Sequence, residues 1–301
     1  MTDSTASAGE TWTVQRILQW TTDYFQSRGF ELPRLEAELL LAHARQCQRI
    51  RLYTDLDVEL STAERGRMRE YVHRRAAHEP LAYITGTREF YGRTFHVGPG
   101  VLVPRPETET LIDVCLEYLP QDVASSVCEI GVGSGCISVT LARQRPQLKL
   151  VATDISDAAH QFARQNCERH SVSDRIRLES GSVFEPLKPE QHGSFSGIVS
   201  NPPYIRTDEM AELPPDVAKH EPHEALLGGA DGLDIVRTLI AESNRWLQPG
   251  GWMALEVDPA QCGAVHQLMN DSGFDNVKVR QDVFGADRVV HGRLPKPAAG
   301  S

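Results

Sequence analysis

The chain has 301 residues, room for two domains, and its 40% hydrophobic and 24% charged composition is that of a soluble globular protein with a sizeable core. A formal net charge of −10, from 41 acidic against 31 basic residues, argues against an extended nucleic-acid surface, which needs Lys and Arg to meet phosphate. The six scattered cysteines form no CxxC and the 11 histidines no HxxxH, so neither a metal site nor a disulfide framework is expected. MTDSTASAGE at the start lacks an apolar signal region, and no apolar run is long enough to span a bilayer, so the expected location is cytoplasmic, with no membrane partner.

In chain order, residues 1–10 read as disordered, and so does the Pro- and Gly-rich tail 295–301. Residues 11–85 read as a small helical domain. VQRILQWTTDYF and LEAELLLAHAR carry apolar residues at three- and four-residue spacing. Pro33 precedes the second where a helix start tolerates it. Ser61 with Glu64 three residues on has the form of a capping box. Residues 86–104 mix β-branched and aromatic residues with glycine turns and read as a hairpin linker. Residues 105–294 alternate strand and helix patterns. SVCEI, LKLVATD, RIRLES, GIVSN and WMALEV read as buried strands, and VKVRQDVFGADRVVHGRL as two strands around a turn. Repeated βα units imply a mostly parallel sheet covered on both faces, to which a closing hairpin would add an antiparallel edge strand.

Three features of that sheet carry chemistry. The first strand runs through Glu129 and Ile130 into Gly131-Val132-Gly133-Ser134-Gly135, where glycines allow a sharp turn and a ligand's approach to main-chain N–H groups. The spacing is GxGxG, not the GxGxxG of dinucleotide sites. Asp154 ends the next strand and is either an acceptor for ribose hydroxyls or the N-cap of DAAHQFARQ. Ser156 is a second candidate cap, which would leave Asp154 to the ligand. Together the loop, the acid and the βα body favour S-adenosylmethionine over NAD. Third, Asn201-Pro202-Pro203-Tyr204 comes after the fourth strand, at the end of the sheet where α/β proteins bind ligands. Proline cannot continue a strand and stiffens the backbone around it.

The (N/D)PP(Y/F) form of that corner resembles class I S-adenosylmethionine-dependent methyltransferases that act on amide or amino nitrogens. Such a nitrogen is a weak nucleophile with two N–H donors, and it needs two fixed acceptors. The Asn201 carboxamide oxygen and the Pro202 carbonyl can supply them, with Tyr204 as a stacking face. More widely, LEAELLLAHA, EPLAYITGTREFYG, VGPGVLVPRPETE, EIGVGSGCIS, ATDIS, SNPPYI, EPHEALLGGADGLDIVR and GADRVVHGR resemble the glutamine N5-methyltransferases of peptide chain release factors.

That resemblance implies a helical-bundle domain, a β-hairpin linker and a seven-stranded Rossmann-like sheet with its last strand antiparallel. It implies transfer of a methyl group from S-adenosylmethionine to the glutamine of a Gly-Gly-Gln motif, leaving S-adenosylhomocysteine, with release factors as partners. The helical domain would dock them, the protein would act as a monomer, and neither metal nor DNA would be involved. Cofactor contacts would come from Glu129, Gly131, Val132, Gly133, Ser134, Gly135, Asp154, Ser182, Val183 and Asn201. Substrate contacts would come from Asn201, Pro202, Pro203 and Tyr204, with Asn201, Pro202 and Tyr204 catalytic. Arg105 and Glu107 would fasten the linker. Many relatives carry an acid where this chain has Ser182, and usually glycine where it has Asp258. A ribosomal-protein glutamine is an alternative substrate. Adenine in DNA is a weaker one, because base flipping calls for a basic surface. A non-catalytic copy would be expected to have lost one of these motifs.

Overall fold

The computed structural model describes residues 11–296; of the segments expected to be disordered, 1–10 and 295–301, residues 1–10 and 297–301 lie outside them. The chain divides into two compact units, Met1–Thr85 and Gly86–Ser301. In the first, α1 (Val14–Ser27), α2 (Pro33–Arg45) and α4 (Thr62–Ala76) are joined by two five-residue helices, α3 (Ile50–Thr54) and α5 (Leu81–Thr85). Thr13 caps α1, Pro33 opens α2, and the Ser61–Glu64 capping box opens α4, so local chemistry marks where each long helix begins. Val14, Leu18, Phe25, Leu40, Leu41 and Leu52 meet in its core. The buried Arg75 guanidinium forks onto Glu36 at 2.7 and 3.0 Å and ties α4 to α2.

The second unit begins with a hairpin, β1 (Thr87–Phe90) and β2 (Arg93–His96), and continues as a seven-stranded sheet. Its strands are β3 (Ser125–Ile130), β4 (Leu148–Asp154), β5 (Ile176–Ser180), β6 (Phe195–Ser200), β7 (Leu247–Glu256), β8 (Asp275–Gln281) and β9 (Asp287–Arg293). Their order is β5-β4-β3-β6-β7-β9-β8. The five strands from β5 to β7 are parallel, and β9 runs antiparallel to both β7 and β8. The last strand is therefore antiparallel as expected, but it is not the edge. It lies inside, with β8 outside it. Burial explains the order: Val289 to Gly292 of β9 are buried, whereas β8 is mostly exposed and carries Lys278 and Arg280, charges suited to an edge.

Strand order reverses between β3 and β6, since β4 and β5 continue to one side and β6 and β7 to the other. This switch point leaves a crevice beyond the C-terminal strand ends. Register brings the three chemical features to it: Ile130 pairs with both Thr153 and Ser200, so Gly131, Asp154 and Asn201 emerge side by side. The hairpin is fastened nearby. Asn166, buried in α8 (Asp157–Arg169), accepts from the His96 N–H at 2.7 Å and donates to the carbonyls of His96 and Ser134 at 2.9 and 2.8 Å.

Candidate active site

One cavity occupies the crevice, walled by the loops after β3, β4, β5 and β6. Glu129, Gly131, Val132, Gly133, Ser134, Asp154, Ser182, Val183, Asn201, Pro202 and Pro203 all line it. Gly135 and Tyr204 do not. Gly135 begins α7 (Cys136–Gln144) at φ +79°, and a Cβ there would stand 3.2 Å from the Ala163 Cα. Its conformation and its lack of a side chain let α7 start against α8. Tyr204 sits behind the corner, with its carbonyl accepting from Gln261 Nε2 at 2.9 Å and its phenol pushed well up by burial.

The glycine loop is held by the chain's own hydrogen bonds. Gly131 and Val132 donate to the Thr153 carbonyl at 2.9 and 3.0 Å, and Gly135 donates to Val132 at 2.7 Å. Asp154 Oδ2 accepts the Gly133 N–H at 2.9 Å and Oδ1 the Ser156 N–H at 2.9 Å. Ser156, not Asp154, caps α8 through the Ala159 N–H. Asp154 is thus free of capping but fastened to the loop, and each oxygen keeps a lone-pair direction for a ligand.

Glu129 is fully buried. Its Oε2 accepts from the Ser138 N–H at 3.0 Å and from the Ser138 hydroxyl, while Oε1 has no partner among the described residues. Burial raises its carboxyl to about 8, against the opposing hydrogen bonds from Ser138. A buried carboxylate oxygen without a partner, on a cavity wall, suits a cationic group. Val183 adopts φ +47°, a conformation β-branched residues avoid, and its carbonyl is held by the Thr153 hydroxyl at 2.9 Å. Strain of this kind collects at ligand sites.

The Asn201 corner is braced from three sides. Asn201 Nδ2 donates to Thr108 Oγ1 at 3.3 Å. Gln261 Nε2 bridges the carbonyls of Tyr204 and Asp231. A Cβ on Gly232 would collide with that amide and with the Tyr204 carbonyl oxygen, and one on Gly228 would lie 2.7 Å from the Pro203 carbonyl oxygen. The GGADGLD stretch therefore lies directly on the corner, and its glycines make that approach possible. Arg105 lines the cavity and pairs at 2.7 Å with buried Glu221, tying residues before α6 (Glu109–Tyr118) to the segment after the corner. Glu109 of α6 accepts the Tyr91 N–H at 2.8 Å and fastens the hairpin turn. The Glu107 charge is near enough to Glu256 to add to the rise of that buried carboxyl.

Sequence reasoning missed the walls formed by Gly100 to Leu102 and by Pro222 to Leu227. Both fall in stretches that carry the family resemblance, which was the available signal, but no reactive side chain drew attention to them. Among the described residues no three His, Cys, Asp or Glu side chains gather as a metal site, and no helix is long and apolar enough to cross a membrane.

Residues 16–86 match the family model of the PrmC N-terminal domain, and residues 107–214 that of the methyltransferase small domain. The chain is 43% identical over 285 residues to the release factor glutamine methyltransferase of Geobacter sulfurreducens, covering 95% of this chain and 98% of that one. It is 41% identical over 284 residues to the protein of that name from Rhodopirellula baltica, covering 93% and 95%. In fold it is similar to a 16S rRNA methyltransferase of T. thermophilus solved with AdoMet and guanosine, at a TM-score of 0.52 and 20% identity over 69% of this chain and 49% of that one. With a methyltransferase sheet, a glycine loop and an Asn-Pro-Pro-Tyr corner at one crevice, and relatives matched along nearly their whole length, the chain belongs to the release factor glutamine methyltransferase family.

Proposed function

We propose that the protein transfers a methyl group from S-adenosylmethionine to the side-chain amide nitrogen (N5) of the glutamine in the Gly-Gly-Gln motif of peptide chain release factors. The observation that carries this reading is the Asn201-Pro202-Pro203 wall standing at the strand end beside the Glu129–Asp154 side of one cavity. When bound, S-adenosylmethionine supplies an electrophilic methyl group on a sulfonium centre. The residues fit it. The unpartnered Glu129 Oε1 would take its ammonium, Asp154 its ribose hydroxyls, Val183 and Ser182 its adenine, and the Gly131–Ser134 backbone its amino-acid part.

Asn201 Oδ1 and the Pro202 carbonyl accept the two N–H groups of the glutamine amide and aim its nitrogen. Pro203 keeps the corner rigid, and Tyr204 backs it. Catalysis is chiefly orientation, with fixed acceptors that become more favourable as positive charge develops on the nitrogen. Gly135 acts through α7 packing rather than contact. The helical unit, 11–85, docks the release factor, 86–104 is the linker, and 105–294 carries the chemistry. The enzyme acts as a monomer without metal, and DNA is not its substrate.

The test is incubation with labelled S-adenosylmethionine and purified release factor, with the methyl group mapped by mass spectrometry. Label on the Gly-Gly-Gln glutamine is expected, and label only on a ribosomal protein or DNA would overturn the reading. Asn201→Ala should lose most turnover while melting like the parent. Loss of the fold would mark the corner as a structural turn.

A further inference from the structure

Behind the Asn-Pro-Pro-Tyr corner stands an acid that no motif assigned. Glu256 closes β7, and because Ser200 pairs with Leu255, the next residues along, Asn201 and Glu256, stand side by side at the strand ends. Glu256 is 1% exposed and Thr108 2% exposed. Asn201 Nδ2 donates a hydrogen bond to Thr108 Oγ1, which leaves the Thr108 hydroxyl with its own hydrogen to donate. Thr108 and Asn201 lie near enough to the Glu256 carboxyl for their polar groups to hold it down, and its Oε2 closes no hydrogen bond among the described residues. The charged and titratable groups that feel its charge or act on it are Arg288, Glu107, Tyr204 and Cys136.

A carboxylate only accepts hydrogen bonds. A carboxamide beside one turns its NH₂ toward the acid and its oxygen away, because the reverse sets oxygen against oxygen. Asn201 lines the cavity and Glu256 does not, so the side of the carboxamide away from the acid is the one left for the cavity. We propose that Glu256 is a positioning residue that, directly and through Thr108, holds the Asn201 carboxamide with its oxygen presented to the amide that receives the methyl group. The proposal rests on the reading of Asn201 as an acceptor for that amide, and deepens it.

Charge on Glu256 is what enforces the orientation. A neutral carboxylic acid could donate to the Asn201 oxygen and hold the side chain the wrong way round. Desolvation raises Glu256 to about 7, with Glu107 adding to the rise and Thr108, Arg288 and Asn201 opposing it. The oriented form therefore prevails above that pH and fades below it.

Two measurements test this, and the first needs no substrate. With ¹⁵N-labelled asparagine, the Asn201 carboxamide signals, identified by their loss in Asn201→Ala, should shift with a midpoint near 7 and stay flat in Glu256→Gln. A flat parent, or an unchanged titration in Glu256→Gln, overturns the proposal. The second is a charge exchange at the corner. Asn201→Asp sets two carboxylates against each other and should lower kcat about 100-fold, the cost of a misplaced reacting group. Adding Glu256→Gln gives the new carboxylate an amide donor and should restore at least roughly tenfold of that, a coupling that independent sites do not show.

Additive losses in the double variant, measured on protein that melts like the parent, would reduce Glu256 to a structural role and overturn the proposal. Absence of glutamine methylation by the parent, with the carboxamide titration present, would instead sink the substrate reading and leave the positioning role standing.

Discussion

Replacing Glu129 with Gln keeps the shape of a buried side chain and removes its charge. Glu129 holds its proton up to about 8 in the folded chain, against 4.5 for an ordinary glutamate. The folded state thus binds a proton that the unfolded state has released between those values. Its contribution to stability is complete below about 4.5 and is lost as pH rises toward 8. At about 1.4 kcal/mol per pH unit, the loss approaches roughly 5 kcal/mol. Gln keeps both Ser138 hydrogen bonds through its amide oxygen but leaves an NH₂ in place of the unpartnered Oε1, at a cost of about 1–3 kcal/mol.

Above pH 8, Glu129→Gln should therefore be more stable than the parent by about 2–4 kcal/mol, and near pH 5 equal to it or less stable by up to about 2 kcal/mol. Urea denaturation from pH 5 to 8.5 measures both. Glu256 and Glu221 are also raised by burial, so part of the parent's slope should survive in the variant. The same substitution should weaken S-adenosylmethionine binding at least about tenfold, because it removes the charge proposed to meet the ammonium. Calorimetry in buffers of different ionisation enthalpy should show the parent releasing a proton on binding near pH 7 and the variant not. A variant less stable than the parent at pH 8.5, with an unchanged pH slope, would refute the argument.

Gly232→Ala, at φ +77° and with its Cβ driven into the Tyr204 carbonyl and the Gln261 amide, should destabilise by more than about 2 kcal/mol and cut turnover sharply. Gly133→Ala, at φ +51° with open space around it, should cost only about 1–2 kcal/mol in thermal melts. Val183→Gly should relieve the backbone strain and raise stability by about 1 kcal/mol or more, while isothermal titration shows weaker cofactor binding. Ser182→Asp should lower the S-adenosylmethionine Kd severalfold by offering the adenine amino group a charged acceptor, and an unchanged or higher Kd would remove Ser182 from the adenine site.

Much of this fold can be read from local pattern, because βα alternation, the Ser61 capping box and the Gly131 loop are set by neighbouring residues. The place of β9 cannot. Either strand of the final hairpin could pair with β7, and the choice turns on which face finds burial, though Lys278 and Arg280 were a usable edge signal. At the site, Asp154 and Asn201 announce themselves at strand ends. Glu256 does not, since a lone acid within the buried strand WMALEV belongs to no motif until register sets it beside Asn201. Gly135 looks like a ligand glycine by spacing, yet its missing side chain serves Ala163. Tyr204 likewise belongs to the motif, while the contacts that place it come from Gln261, far along the chain.

The clasp between Asp154 and Gly133 bears on how quickly the enzyme can exchange its cofactor for its product. A loop shaped by its own carboxylate and carbonyl acceptors does not have to be ordered afresh at each encounter, so little conformational entropy is lost on association. Cofactor entry should follow single-exponential kinetics with a rate linear in concentration, without the plateau of a slow closing step. Any slow step in turnover then falls to the protein substrate, which must thread an extended glutamine into the crevice.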